Sequence, residues 1–279
     1  MIVDEACASC LYEKQKRSTD NGNYLAEIRQ IIENRTEKDT PPLLLYRFDQ
    51  VYERYFGRPV SYREDKKRFN DLVLSMQDAV REKIDTSADP FTTALVYARL
   101  GNYIDFGALN EVREEDFIRI LEETEVSSRD KEVIAEMKRE LETAKTFLLV
   151  CDNCGEIVLD RLFLERLEKD YPSVTVYVMV RGGEVLNDAT VEDALYVGMD
   201  RYAKIISSGV PAAGAIYEMM DDEAKRILDG SDVVLSKGQA NYESLSGRGR
   251  HIYYSFLCKC DKFMNAFGVK RFAGMLIRG

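Results

Sequence analysis

The sequence predicts an α/β protein, a Rossmann-like parallel sheet preceded by an all-helical domain. Two observations carry this. From Val3 to about Ala144, apolar residues recur at three- and four-residue spacing, the period of helices with one buried face. From Thr146 the rhythm changes to short β-branched apolar runs alternating with helical stretches. That alternation marks βαβ units, and therefore a parallel sheet with right-handed crossovers. The domains are accordingly a helical one at 1–145 and a Rossmann-like one at 146–279.

In the helical half the repeats Tyr24, Ile28, Ile31, Ile32 and Leu44, Tyr46, Phe48, Val51, Tyr55 each line one helix face. Helix starts are signalled by Ser18-Thr19-Asp20, by Thr40 before Pro41-Pro42, and by Ser127-Ser128 before a run ending near Lys145. Proline suits the first helical turn because its missing N–H has no partner there anyway. In the second half, strands are expected at Thr146–Cys151, Val174–Val180, Lys204–Ser207, Asp232–Ser236 and His251–Leu257. Helices are expected at Glu156–Tyr171, Val191–Met199 and Ile216–Leu228. No internal repeat or low-complexity tract appears.

The 279 residues suffice for a sizeable core without disulfide or metal staples. Lys and Arg number 39 against 49 Asp and Glu, a formal net charge of −10. That balance argues against general nucleic-acid or anionic-membrane binding, which need a basic face. No apolar run reaches the ~18 residues of a membrane helix, and the N-terminus lacks the basic-then-apolar order of a secretory signal. A cytoplasmic protein is expected. Six cysteines fall into the pairs Cys7/Cys10, Cys151/Cys154 and Cys258/Cys260. In a reducing compartment such pairs suggest metal or redox chemistry more readily than disulfides. Cys7 and Cys10 with Cys258 and Cys260 would make a four-thiolate zinc site, although the spacing is far from a zinc ribbon; a structural role is the plainer reading.

Ligands of an open parallel sheet bind beyond the carboxyl ends of its strands. The residues that follow the strands are Asp152, Asn153, Cys154, Gly155 and Glu156; then Arg181, Gly182, Gly183, Asn187 and Asp188; then Ser207 to Gly209; then Lys237 to Asn241; and finally Lys259 and Asp261. Asp152, Asn153 and Asp188 supply the carboxylate and amide oxygens that hard divalent cations prefer. Lysines and close-approaching glycine backbone suit phosphate oxygens. A cation site beside an anion cradle is the layout of phosphoryl chemistry. The bland alternatives are that Asp152 and Asn153 cap the helix near Glu156, that Asp188 caps the helix after Thr190, and that Lys237 is a solvated loop lysine. Glu156 gains from the helix dipole whatever else it does. There is no Gly-x-Gly-x-x-Gly after the first strand and no Walker lysine motif. The single histidine, His251, makes a histidine zinc site or a Ser-His-Asp triad improbable on composition alone and reads as structural.

At these residues the sequence resembles the damage-control phosphatases, a family long catalogued as a domain of unknown function. The resemblance lies in Asp152-Asn153-Cys154-Gly155-Glu156 with Asp160, Leu186-Asn187-Asp188-Ala189-Thr190, Ser236-Lys237-Gly238-Gln239-Ala240-Asn241-Tyr242-Glu243, and Lys259-Cys260. In the helical half, Gly101-Asn102-Tyr103-Ile104-Asp105 is similar to the family's Gly-Asn-x-Ile-Asp segment, and Cys7-x-x-Cys10 to its archaeal and bacterial branch. The resemblance implies a phosphatase dependent on a divalent metal (Mn, Mg, Co or Ni), with Asp152, Asn153 and Asp188 as metal ligands. It implies a phosphate loop from Ser236 to Asn241, including Lys237 and Gly238, with Lys259 as a further cation. Asn102, Asp105 and Glu156 would contribute to the substrate pocket. Asp152, Asp188 and Lys237 would carry the chemistry, and the substrates would be small phosphorylated metabolites. One departure is Cys154, where relatives more often carry a small residue such as Ala. The competing classes are a carboxyl methyltransferase, disfavoured by the missing glycine-rich loop, and a non-catalytic metabolite- or metal-binding protein.

Overall fold

The computed structural model describes residues 2–101, 118–119, 121, 123–124, 126–248 and 252–279. Six helices precede the sheet among these residues: α1 (Glu5–Ser18), α2 (Gly22–Glu33), α3 (Pro41–Phe56), α4 (Arg63–Thr86), α5 (Pro90–Leu100) and α6 (Ser128–Leu141). Local chemistry sets their ends. Thr40 accepts from the Leu43 amide ahead of the Pro41-Pro42 turn, and Ser127 accepts from that of Asp130. The start of α2 differs from expectation. Asn21 is its cap, accepting from the amides of Asn23 and Tyr24, while Thr19 instead receives the Asn21 amide.

Six strands follow: β1 (Thr146–Val150), β2 (Thr175–Val180), β3 (Lys204–Ser207), β4 (Val233–Lys237), β5 (Ile252–Leu257) and β6 (Gly274–Arg278). Between them lie α7 (Glu156–Asp170), α8 (Val191–Tyr196), α9 (Asp222–Gly230), α10 (Gln239–Leu245) and α11 (Asp261–Phe267). The order across the sheet is β3-β2-β1-β4-β5-β6. The first five strands pair in parallel as expected, and β6 adds an antiparallel edge that the sequence did not reveal. Its apolar core, Met275 to Ile277, is too short for a period to register. The expected helix at Ile216–Leu228 divides into a 3₁₀ turn at Tyr217–Met219 and α9, which Asp221 caps by accepting from the Ala224 amide.

The strand period of two sorts side chains onto two faces. Phe147 and Leu149 join the core beneath α4, α5, α6 and α7, whereas Leu148 and Val150 join the one covered by Ala224, Leu228, Leu245 and Phe263. The first of these cores runs from Val73 on α4 to Leu276 on β6, so α4 to α6 serve as a helical layer of the sheet. A separate cluster of Tyr24, Ile28, Leu44, Phe48 and Val51 holds α1 to α3 together. Because β2 and β4 leave β1 on opposite sides, the β1/β4 boundary is the topological switch point. The loops after β1 and β4 lead there to helices on opposite faces of the sheet. Among the described residues no helix is long and apolar enough to cross a membrane.

Candidate metal and phosphate site

Backbone pairing beyond the strand ends brings the predicted oxygen ligands together. Asn153 and Asp188 form a short antiparallel bridge, Ala189 N donates to Asp152 O at 2.8 Å, and Cys154 N donates to Asn187 O at 2.9 Å. Asp152, Asn153 and Asp188 are all buried. Neither acid is used as a helix cap. The cap of α7 is Gly155, with no side-chain bond, and α8 is capped by Thr190 in a reciprocal box with Asp193. The capping alternative therefore fails for these three residues.

Gly238 fixes the other wall. Its φ is +81°, and a Cβ there would lie 2.1 Å from Asp152 Oδ2, so only glycine lets the β4 loop approach this carboxylate so closely. Two carboxylates and one amide at a switch point form a hard-oxygen donor set that fits a Mg²⁺- or Mn²⁺-type cation. Asn153 Nδ2 donates to Asp152 Oδ2 at 3.2 Å, which fixes which end of that amide is nitrogen.

The structure places several phosphate-loop residues differently from expectation. Lys237 is 0% exposed. Its ammonium donates to Glu156 Oε1 at 2.6 Å, Asp160 Oδ1 at 2.6 Å and Ala98 O at 2.9 Å, which uses all three of its protons. Lys237 thus lies beneath the site as the centre of an ion-paired group, rather than at its mouth. Burial opposes the ammonium's charge, but Asp160 and Glu156 outweigh it and hold its pKa above the ordinary lysine value. Burial pushes the Glu156 carboxyl up to about 8 despite the pull of Lys237, and pushes Asp160 up as well.

The Gly238 amide donates to Ser255 O in the sheet ladder at 3.0 Å, so it is not available to a phosphate. Asn241 is also saturated. Its Nδ2 donates to Cys151 O and Lys237 O at 3.0 and 2.6 Å, while Oδ1 accepts from Ala215 N and Arg181 Nη1, both at 2.8 Å. Ser236 is buried, and its Oγ has no hydrogen-bond partner among the described residues. Lys259 does reach this edge, its backbone amide donating to Gln239 Oε1 at 2.9 Å. Asn102 and Asp105 lie outside the described residues, as does His251. The chain leading to Asn102 passes directly over Glu156, since a Cβ on Gly101 would lie 2.8 Å from the Glu156 Cα.

Two residues to which the sequence assigned no role sit against the candidate ligands. Arg181, directly after β2, is 2% exposed and spans both acids: Nε donates to Asp188 Oδ2 at 2.6 Å and Nη2 to Asp152 Oδ1 at 3.2 Å. Its place after an apolar strand was a usable signal. Asn70 on α4 is buried and accepts the Gly155 amide through Oδ1 at 2.7 Å, tying the helical layer to the β1 loop. Nothing in its polar sequence surroundings marked it out. A cleft of about 680 Å³ opens beside Arg181, lined also by Asn70, Gly182, Thr190, Ser207 and Tyr196 among others, while none of Asp152, Asn153 and Asp188 lines it.

The cysteines stand apart from this chemistry. All six are free thiols, and among the described residues no group of three or more His, Cys, Asp or Glu gathers to hold a metal. The structure therefore does not assemble the four-thiolate site that the pairs suggested. Burial raises Cys7 to about 12 and also lifts Cys151, Cys154 and Cys258, keeping them protonated.

A doubly wound sheet with two buried acids and an amide at its switch point defines a Rossmann-like α/β protein. Residues 3–274 match the damage-control phosphatase ARMT1-like domain, and the chain belongs to that family. A damage-control phosphatase of Archaeoglobus fulgidus is 30% identical, with 96% of each chain covered. One of Pyrococcus horikoshii is 28% identical over 100% of this chain and 98% of its own. The fold is shared with a crystal structure of a DUF89 family protein from P. horikoshii, at TM-score 0.81 and 23% identity, covering 100% of this chain and 99% of that one. The family gives the chain its class of activity, a phosphatase.

Proposed function

We propose that this chain is a divalent-metal-dependent phosphatase hydrolysing small phosphorylated metabolites, such as sugar phosphates or damaged cofactor phosphates. The observation that carries the reading is the convergence of Asp152, Asn153 and Asp188 at the switch point with neither acid used as a cap. Those three residues would hold the cation. When bound, it supplies Lewis-acid polarisation of a phosphoryl oxygen and lowers the pKa of the attacking water.

The chain's own residues do the rest. Arg181 holds both carboxylates, and Asn241 anchors Arg181 in turn. Gly238 brings the β4 loop against Asp152 without a side chain to block the crevice. The Lys237–Glu156–Asp160 group stiffens the first turn of α7 beneath the reacting centre. The cleft beside Asn70 and Thr190 presents hydroxyl, amide and charged side chains next to Arg181, where the rest of a phosphorylated metabolite would lie.

The deciding experiment is hydrolysis of an aryl phosphate by metal-stripped protein resupplied with Mn²⁺, Mg²⁺, Co²⁺ or Ni²⁺, beside Asp188→Ala. Metal-restored turnover that Asp188→Ala abolishes, with weakened metal binding partly rescued by excess metal, is expected. Turnover that survives prolonged chelation, or a fully active Asp188→Ala, would defeat the reading. A screen over sugar and cofactor phosphates then identifies the substrate.

A further inference from the structure

Arg181 is an unusual neighbour for a cation site. The partners of metal ligands are commonly carboxylates or carbonyls, which raise ligand basicity. Here the shared partner of both candidate acids is itself a cation. Its guanidinium takes one oxygen of Asp188 at 2.6 Å and one of Asp152 at 3.2 Å. It cannot swing aside easily, because Nη1 is anchored on Asn241 Oδ1 at 2.8 Å and Asn241 is itself pinned by Cys151 O and Lys237 O. Asp188 and Asp152 hold its charge against the opposing effect of burial.

We propose that Arg181 is a resident counter-ion of the carboxylate pair. It competes with a divalent cation for Asp152 and Asp188, keeps the metal-free pair folded, and remains in place to give the loaded site its net positive charge. This rests on the metal-dependent reading above. The charge count follows from the geometry. Counting these three groups alone, two carboxylates and one guanidinium give about −1, and a divalent cation turns the sum to about +1, which suits a phosphate dianion. Lys237 is engaged by Glu156 and Asp160 in a separate group, and Lys66 on α4 by Asp193 at 2.6 Å. Without Arg181 the acids would bind metal from −2, and the loaded site would be neutral towards phosphate. Arg181 therefore trades metal affinity for anion affinity. Its three donated bonds leave two of the five guanidinium N–H groups without a partner among the described residues, on a residue that lines the cleft.

The test compares wild type, Arg181→Gln and Arg181→Lys by calorimetric Mn²⁺ titration of chelator-stripped protein, thermal unfolding with and without Mn²⁺, and inorganic phosphate titration of the Mn²⁺-loaded form. Arg181→Gln is expected to bind Mn²⁺ at least about tenfold more tightly. It should unfold at a lower temperature when stripped, with Mn²⁺ closing much of that gap, and bind phosphate at least about tenfold more weakly. Arg181→Lys keeps the charge but cannot fork to both acids, so its Mn²⁺ affinity should fall between the other two. A role in packing alone would lower stability without tightening metal binding. Unchanged or weaker Mn²⁺ binding in folded Arg181→Gln overturns the proposal. If that variant cannot be obtained folded, Arg181→Lys decides: tighter than wild type supports the counter-ion, equal or weaker refutes it. A wild type that binds no Mn²⁺ defeats the metal-dependent reading and this proposal together, whereas one that binds and turns over normally isolates the failure to Arg181.

Discussion

Replacing Lys237 with Met separates two roles that the sequence could not tell apart. The ammonium is 0% exposed and bonded to two carboxylates that are themselves 1% and 0% exposed. Removing it leaves Glu156 and Asp160 buried together without their cation. Breaking a buried ion pair from one side costs about 3–5 kcal/mol, because the orphaned charge keeps its desolvation penalty. Protonation of one or both acids limits the loss, since a neutral carboxyl tolerates burial far better. For a chain of this size that corresponds to a fall in Tm on the order of 10 °C. The assay is thermal unfolding of metal-free Lys237→Met at several pH values, beside aryl-phosphate kinetics. The deficit should shrink towards acid pH, where the acids carry protons, and Glu156→Gln in the same background should restore part of it. A lysine reaching directly for phosphate from a solvated loop behaves otherwise. Its removal would leave Tm almost unchanged, since surface substitutions cost within about 0.5 kcal/mol, while lowering turnover about 10²–10³-fold. An unshifted Tm with that loss of rate would refute the buried-cluster reasoning.

Gly238→Ala should weaken Mn²⁺ binding in a calorimetric titration and cost about 1–3 kcal/mol, because a Cβ at φ +81° would lie 2.1 Å from Asp152 Oδ2; normal affinity would show that the loop can retreat. Replacing Cys7 and Cys10 with Ser should leave kcat within about twofold of wild type, since oxygen ligands suffice for a hard cation and no thiolate cluster forms among the described residues; lost turnover in a folded double variant would contradict this. Glu156 gives stability a pH slope of definite sign. Its folded pKa of about 8 exceeds the unfolded 4.5, so its stabilising contribution is complete below about 4.5 and is lost as pH rises through 8. Denaturant unfolding of metal-free wild type and Glu156→Gln across that window should show a flatter profile in the variant, and parallel profiles would count against the assignment.

The fold was legible wherever a period had room to repeat. The strands β1 to β5 and α7 lie within a residue of expectation, because alternation and three-four spacing are enforced by burial on known faces, while α6 ends at Leu141 rather than near Lys145 and α8 at Tyr196 rather than Met199. β6 escaped because three buried residues at a chain end make no pattern, and the α9 region was overextended because its apolar spacing continues across the Met220 break, where Asp221 restarts the helix. Within the site, Asp152, Asn153 and Asp188 were readable because a strand end confines them to one edge. The depth of a side chain along that edge was not readable. Lys237 and Asn241 follow a strand just as an anion-binding loop does, yet their partners are Glu156 and Asp160 one turn apart on α7, the Ala98 carbonyl of a distant helix, and Arg181. Those contacts exist only once α5 and α7 are packed. A strand end therefore shows which residues can reach a ligand, while the charges packed behind them show which already have a partner. In this chain that packed layer occupies Lys237 with Glu156, Asp160 and the Ala98 carbonyl, and sets Arg181 against both Asp152 and Asp188.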